Sequence, residues 1–421
     1  MRRAIPDYTI TYVTELAVMA SMLLVYRLAA QYWPSHEFAE YALARRTVGL
    51  VQLPLLMGVG IGIPRYIALS LGAGQPAEAG GYYAAGLLLA LLPVASAVVL
   101  LNVLAGTAAR VLFGSPEYAG LVGGFSLIVL GAALHLLAYS YFRGRRRMRV
   151  ASGLQLLNLG LIPPAAFLVP GWPVERVIGA TGAAWSVVSL LVIGVVLARL
   201  GPSVWRGGEI KRRIAELARF GLPRVPGEFA LTGLFALPAT FVAHVAGMEA
   251  AGFVAVAITI VSAVGSLFAP VGLVLLPHAS EMVARGERAR VRWLTGRLLV
   301  VGVGLAAALA VGFELVGRRA LAAFLEGDFE GLFQVARIIV PGAAPYAAYI
   351  LARNALDALH ARALNTKNLV SGLLVFATVA LAWRTIESAS LGLLAGLVVL
   401  GALSVKDLMG SGLMALSRSH G

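Results

Sequence analysis

The amino-acid sequence predicts an all-α polytopic membrane protein of about twelve transmembrane helices, set in two six-helix lobes that form a parallel internal repeat. Three observations carry this. Hydrophobic residues make up 59% of the 421-residue chain against 13% charged, with a mean hydropathy of +0.86. A soluble domain is about a quarter charged, so most of this chain belongs in lipid. The apolar runs are continuous rather than alternating, which excludes a transmembrane β-barrel. The two halves also echo each other in sequence.

Each crossing takes roughly 20 residues, and twelve apolar segments can be marked. They are 9–32, 41–70, 81–105, 119–142, 151–170, 179–200, 220–246, 251–278, 293–316, 332–357, 367–386 and 390–415. The first is read as a retained helix, because MRRAIPDYTITYVTELAVMASMLLVY has no small-residue cleavage site after its apolar run. Orientation follows from the cations, which gather on cytoplasmic loops. One set of loops holds Arg2 and Arg3, Arg143 to Arg149, Arg206 to Arg219, and Arg285 to Arg292. The opposite set holds Arg110, Arg176, Arg318, Arg319 and Arg384, mostly beside acids. The chain is therefore expected in a cell membrane as a multi-pass protein with both termini cytoplasmic. The net charge of +14 follows from those inner loops and needs no nucleic acid. The absence of cysteine excludes disulfides and thiolate metal sites.

The most polar inner stretch, 201–219 (GPSVWRGGEIKRRIAELAR), falls midway along the chain. It reads as an amphipathic basic linker suited to the inner membrane surface, between lobes at 1–200 and 220–421. The repeat runs through both lobes. Glu15 precedes Tyr41 by 26 residues, and Glu228 precedes Phe253 by 25. Arg143 matches Arg353 and Asn158 matches Asn368, each at an offset of 210. Six spans per lobe give both repeats the same orientation, a transporter architecture in which the substrate sits between lobes. Forty-eight glycines fit close packing of transmembrane helices, and helix prolines such as Pro54, Pro64, Pro93 and Pro238 mark kinks.

Ionisable residues at membrane depth cost at least ~2.5–3.5 kcal/mol on insertion scales and usually face a wet cavity or a partner. Here they are Glu15, Arg27, Arg45, Arg46, Arg65, Arg224, Glu228, Arg337, Arg353 and Asp357. Arg224 and Glu228, and Arg353 and Asp357, are four apart and spaced to pair. Arg27, Arg45 and Arg46 are near enough to the outer end to snorkel. Taken together, arginines from both lobes would draw an anion, above all a phosphate, which guanidinium grips bidentately. Glu15 and Glu228 are candidates for coupling to H+ or Na+, since a carboxyl at membrane depth can titrate in a useful range.

Other chemistry is missing. No GxxxxGK[ST] phosphate loop occurs. The histidines show no metal-binding spacing, and His135 and His244 read as bonded core residues, so neither a metal nor a cofactor is expected. Glu37 and Glu40 in the first outer loop leave a membrane glycosyltransferase as an alternative, but no large outer domain shapes an acceptor site. A non-transporting scaffold is the remaining alternative.

Three stretches carry a family resemblance: PSHEFAEYALARRTVGLVQLPLLMGVGIGIPRYIA, YFRGRRRMRVASGLQLLNLGL and PVGLVLLPHASEMVARGERARVRW. With them the chain resembles the polysaccharide-type flippases of the multidrug/oligosaccharidyl-lipid/polysaccharide (MOP) exporter superfamily, over nearly its whole length. The resemblance implies a MATE-like fold and no enzymatic activity. It implies a monomer that moves a polyprenyl-(pyro)phosphate-linked oligosaccharide from the inner to the outer leaflet by alternating access, for surface polysaccharide assembly. It also implies a cationic cavity, a role carried here onto Arg27, Arg45, Arg46, Arg65, Arg224 and Arg337. Twelve spans depart from the fourteen of peptidoglycan-precursor flippases. The drug/cation antiporters of the superfamily also have twelve, but generally use acidic cavities.

Overall fold

The computed structural model describes residues 4–205, 207–325, 330–360 and 364–410. Arg2, Arg3 and Arg206 of the inner cation set, and the end of the last apolar run at 411–415, lie outside the described residues. Among the described residues there are helices and no strand. Lipid demands this, because a backbone amide in hydrocarbon must be bonded within its own segment. Among the described residues eleven helices are long and apolar enough to cross a membrane, or twelve when one bent pair is counted as a span. Large apolar side chains stand on the outside, Leu168 at 80%, Leu315 at 77% and Val300 at 76% exposed, as a lipid-facing surface requires.

The chain divides into two compact units, Met1–Phe229 and Ala230–Gly421. The first contains α1 (Ala4–Tyr32), α2 (Ser35–Leu55), α3 (Val59–Gly72), α4 (Pro76–Val103) and α5 (Ala105–Phe113). It continues with α6 (Ala119–Gly144), α7 (Met148–Gln155), α8 (Ile162–Ala165), α9 (Val174–Leu200) and α10 (Gly207–Gly221). Helix α11 (Val225–Ala246) runs across the division. The second unit holds α12 (Met248–Ala284), α13 (Arg288–Leu325), α14 (Glu330–Ile339), α15 (Ala343–Leu359), α16 (Leu364–Trp383) and α17 (Ile386–Gly410). In that unit α16 and α17 cross so closely that a Cβ on Gly372 would lie 2.8 Å from the Gly396 carbonyl oxygen.

The segment read as one run at 41–70 is broken. Helices α2 and α3 meet at 53° across two successive left-handed residues, Met57 (φ 47°) and Gly58 (φ 75°). The end of α10 packs directly on this break. A Cβ on Gly58 would lie 2.7 Å from Gly221 Cα, and one on Gly221 would collide with the Met57 carbonyl oxygen. Only two glycines allow the crossing.

Helix α10 corrects the membrane-surface reading of 201–219. Its apolar residues Ile210 and Leu217 are buried against Tyr82, Ala84 and Ala85 of α4, on protein rather than on headgroups. Charge explains the choice of partner. Arg213, with a side chain 4% exposed, holds Glu78 bidentately, Nη2 to Oε1 at 2.8 Å and Nε to Oε2 at 3.0 Å. It also donates to Glu209 at 2.7 Å. Arg212 bonds Glu216 at 2.8 Å, and Glu216 accepts the Tyr82 hydroxyl. Breaking a buried pair by removing one partner costs about 3–5 kcal/mol.

Two outcomes follow. Gly221→Ala lowers stability by about 1–3 kcal/mol through overpacking, seen as a lower melting temperature in detergent; an unchanged melting temperature would refute the crossing. Glu78→Gln leaves Arg213 with Glu209 as its remaining carboxylate and lowers the melt by a comparable amount. Glu287→Gln, which removes only the exposed i,i+3 pair to Arg290, changes stability by less than about 1 kcal/mol.

Candidate functional site

The polar interior of the first unit is organised around an irregular helix. After α7 the chain makes a π turn, Leu156–Leu161, and then runs into Pro163 and Pro164. Proline brings no N–H, so Pro164 has none to offer the carbonyl of Gly160 four residues back. The Ser21 hydroxyl of α1 supplies the donor, 2.5 Å from Gly160 O. One turn earlier Gln155 Nε2 donates to Glu15 Oε1 at 2.9 Å. Asn158, fully buried, donates to Ser189 Oγ of α9 at 3.2 Å and contacts His135 Nδ1 of α6 at 2.9 Å.

Beside these residues lies a cavity of about 420 Å³, with Arg45, Gln52, His135, Tyr139, Gln155 and Trp185 among its lining. Arg45 is its only formally charged lining residue. The Arg45 guanidinium lies 5.7 Å from the Tyr41 ring centre, and its Nη1 donates to the Tyr41 hydroxyl at 3.2 Å. Trp185 Nε1, Gln155 Oε1 and Asn158 Oδ1 are buried without a hydrogen-bond partner. Native interiors rarely leave such atoms idle. The site thus offers one cation, an indole donor and the Gln155 amide acceptor in a mostly apolar wall, with Asn158 buried behind it.

The other expected site residues are placed as follows. Arg27 and Arg46 are half-buried on α1 and α2. Arg65 and Arg224 share one aromatic ring, their guanidinium carbons 4.6 and 3.7 Å from the Phe220 centre. Arg224 Nη1 also reaches back along the chain to donate to Phe220 O at 2.5 Å. Glu228 is half-buried near the start of α11. Arg337 lies on α14 of the second unit. It holds Glu314 through two contacts of 2.5 and 3.0 Å on an exposed face, so its charge is already balanced. Arg353 likewise lies over Tyr349, while Asp357 accepts from Asn365 at 2.7 Å.

The repeat extends to side-chain detail. Arg143 sits 5.7 Å from the Tyr139 ring and Arg353 5.8 Å from Tyr349, the same four-residue step at the same offset. Asn158 and Asn368 are both fully buried. In the second unit Asn368 donates to Asp407 Oδ2 at 3.1 Å, which Lys367 approaches at 3.6 Å. Sequence reasoning missed Asp407, which has no acidic counterpart 210 residues earlier. Burial lowers the His360 imidazole below its usual range, in the turn between α15 and α16, against the pull of Asp407. The π turn was missed too, although the Pro-Pro pair after LNLGLI signals a broken helix.

No protein-family model matches the sequence, and no curated protein matches it. Solved structures do match its fold over nearly the full length. An inward-facing multidrug resistance MATE family transporter of the MOP superfamily gives a TM-score of 0.77 at 14% identity, covering 97% of this chain and 100% of its own. The Vibrio cholerae MATE transporter VcmN gives 0.67 at 15%, covering 97% and 96%. A eukaryotic MATE transporter gives 0.64 at 13%, covering 97% and 98%. At these identities the likeness is one of fold. The chain has the fold of the MATE transporters.

Ser21→Ala leaves the Gly160 carbonyl without its side-chain donor and costs about 1–3 kcal/mol, read as a lower melting temperature. Ser21→Thr keeps the hydroxyl and recovers most of the loss. Equal melting of the wild type and the alanine variant would remove this bond from the account of the π turn.

Proposed function

We propose that the chain is a membrane transporter that moves a polyprenyl-(pyro)phosphate-linked oligosaccharide from the inner to the outer leaflet by alternating access. The MATE fold supports transport as the activity. The observation that carries the cargo class is Arg45, the one formal charge on a cavity otherwise lined by neutral polar and apolar groups. A guanidinium in such a setting favours phosphate, and the amides and indole around it suit the hydroxyls and ring faces of a sugar. Arg65 and Arg224, gathered on Phe220, provide a second cationic position; Arg27 and Arg46 are kept as further candidates. Arg337 contributes least, because Glu314 already balances it. The protein is taken to act as a monomer in a cell membrane with both termini cytoplasmic.

Glu15 gives a means of coupling. Its carboxylate accepts from Gln155, and Gln155 lines the cavity. Taking up H+ or Na+ at Glu15 weakens that bond and frees the Gln155 amide to turn toward the cargo. Glu228, its counterpart in the repeat, is the second coupling candidate. A drug/cation antiporter is the other reading, favoured by Glu15 behind the cavity wall and by the multidrug resistance transporter among the structural relatives.

The test is reconstitution in liposomes with a fluorescent polyprenyl-pyrophosphate oligosaccharide. Protein-dependent loss of leaflet protection is expected. Arg45→Gln lowers the rate about tenfold or more at equal protein level, the scale of one charged hydrogen bond. Glu15→Gln makes the rate indifferent to a collapsed ion gradient. Equal protection with and without protein refutes the flippase; gradient-driven uptake of an organic cation under the same conditions establishes the antiporter.

A further inference from the structure

A second cavity, of about 460 Å³, opens where α6 ends and α9 ends, and it shares no lining residue with the cavity at Arg45. Three cations line it: Arg145 and Arg147 just after α6, and Arg199 in the last turn of α9. None of the three has an ion pair among the described residues. By contrast Arg212, Arg213, Arg290, Arg318 and Arg337 each hold a glutamate. The charge at this mouth is therefore unbalanced by protein. Arg145 is also held in place, its Nη1 donating to the Tyr141 hydroxyl at 2.9 Å and its guanidinium 5.5 Å from the Tyr141 ring.

The remaining wall is apolar and open to lipid. Leu191 is 65% and Val195 53% exposed, and both line the cavity. One turn further along α9 the strip continues with Val187, 57% exposed. Helix α9 has 27 residues, more than the roughly 20 a bilayer core requires, so its last turn with Arg199 reaches headgroup level. A cationic mouth over a lipid-facing apolar strip is complementary to one kind of molecule, a phosphate carried on an acyl chain. Basic pockets between helix ends recognise such headgroups, each arginine near the surface contributing about 1 kcal/mol.

We infer that this groove binds one anionic phospholipid, its phosphate held by Arg145, Arg147 and Arg199 and an acyl chain laid along Leu191, Val195 and Val187. The ligand ties the turn after α6 to the end of α9, and this site is separate from the cargo cavity. It requires only that the chain sit in a membrane, so it stands whatever the cargo is.

The test is native mass spectrometry of the detergent-purified full chain titrated with phosphatidylglycerol, phosphatidylcholine or inorganic phosphate. One phosphatidylglycerol is expected to be retained about tenfold or more tightly than phosphatidylcholine. The combined variant Arg145→Gln, Arg147→Gln and Arg199→Gln loses that preference, while Arg143→Gln, outside the cavity, keeps it. Leu191→Ser with Val195→Ser weakens retention with the arginines intact, and millimolar inorganic phosphate fails to displace the lipid. The proposal is overturned if the two lipids bind alike, if the triple variant keeps the preference, or if free phosphate displaces the lipid fully. The triple variant breaks no ion pair and loses only the Arg145 contact to Tyr141, so without lipid it keeps a cooperative melt close to that of the wild type; a retained cooperative melt separates loss of the site from loss of the fold.

Discussion

A polar group inside hydrocarbon must find its partner within the protein, and the interior of the first unit is arranged by that demand. Pro164, after the π turn, denies Gly160 an ordinary helical donor, and α1 brings Ser21 to it. The same helix presents Glu15 to Gln155, and the widened turn carries Asn158 between His135 and Ser189. One irregularity in a backbone thus fixes where α1, α6 and α9 bring their polar side chains. The cavity at Arg45 lies beside that irregular turn. What makes the site chemically able is what makes it costly: indole and amide atoms buried without partners, kept next to a cation in a largely apolar wall.

The basic helix at the centre of the chain obeys a related rule from the outside. Its apolar face has to be covered by something, and its charges select what covers it. Arg213 is nearly enclosed because Glu78 meets it with both oxygens, and the ion pair then sets the register in which Ile210 and Leu217 reach α4. Apolar burial supplies the area and the ion pair supplies the address. A flexible tether would need neither.

Much of this architecture could be read from the sequence, because hydropathy and charge asymmetry act locally. The apolar runs fall on helical segments, though those at 41–70, 151–170 and 332–357 are each divided, and the offset of 210 residues brought Arg143 and Arg353 into the same relation with Tyr139 and Tyr349. The candidate site was less legible. Whether an arginine is spent or available depends on partners remote in sequence: Glu314 neutralises Arg337 from the preceding helix, and Glu78 meets Arg213 from another helix. Spacing offered Glu228 to Arg224, but it could not show that Arg224 also meets the ring and the carbonyl of Phe220. The break at Met57 was invisible for the same reason, since it depends on a crossing partner far along the chain.

That crossing has a consequence for how the molecule can change over generations. Gly58 and Gly221 are 163 residues apart, yet each occupies the space where the other's side chain would grow. Neither position can drift alone, because a methyl group at either one meets backbone that cannot swing aside. The two sites form a single unit of inheritance. A lineage that altered one would first have to re-route α10, and with it the salt bridge to Glu78. The junction is thus a ratchet on divergence: a lipid-facing position can exchange one apolar residue for another, while a side chain at either of these glycines has no space to enter.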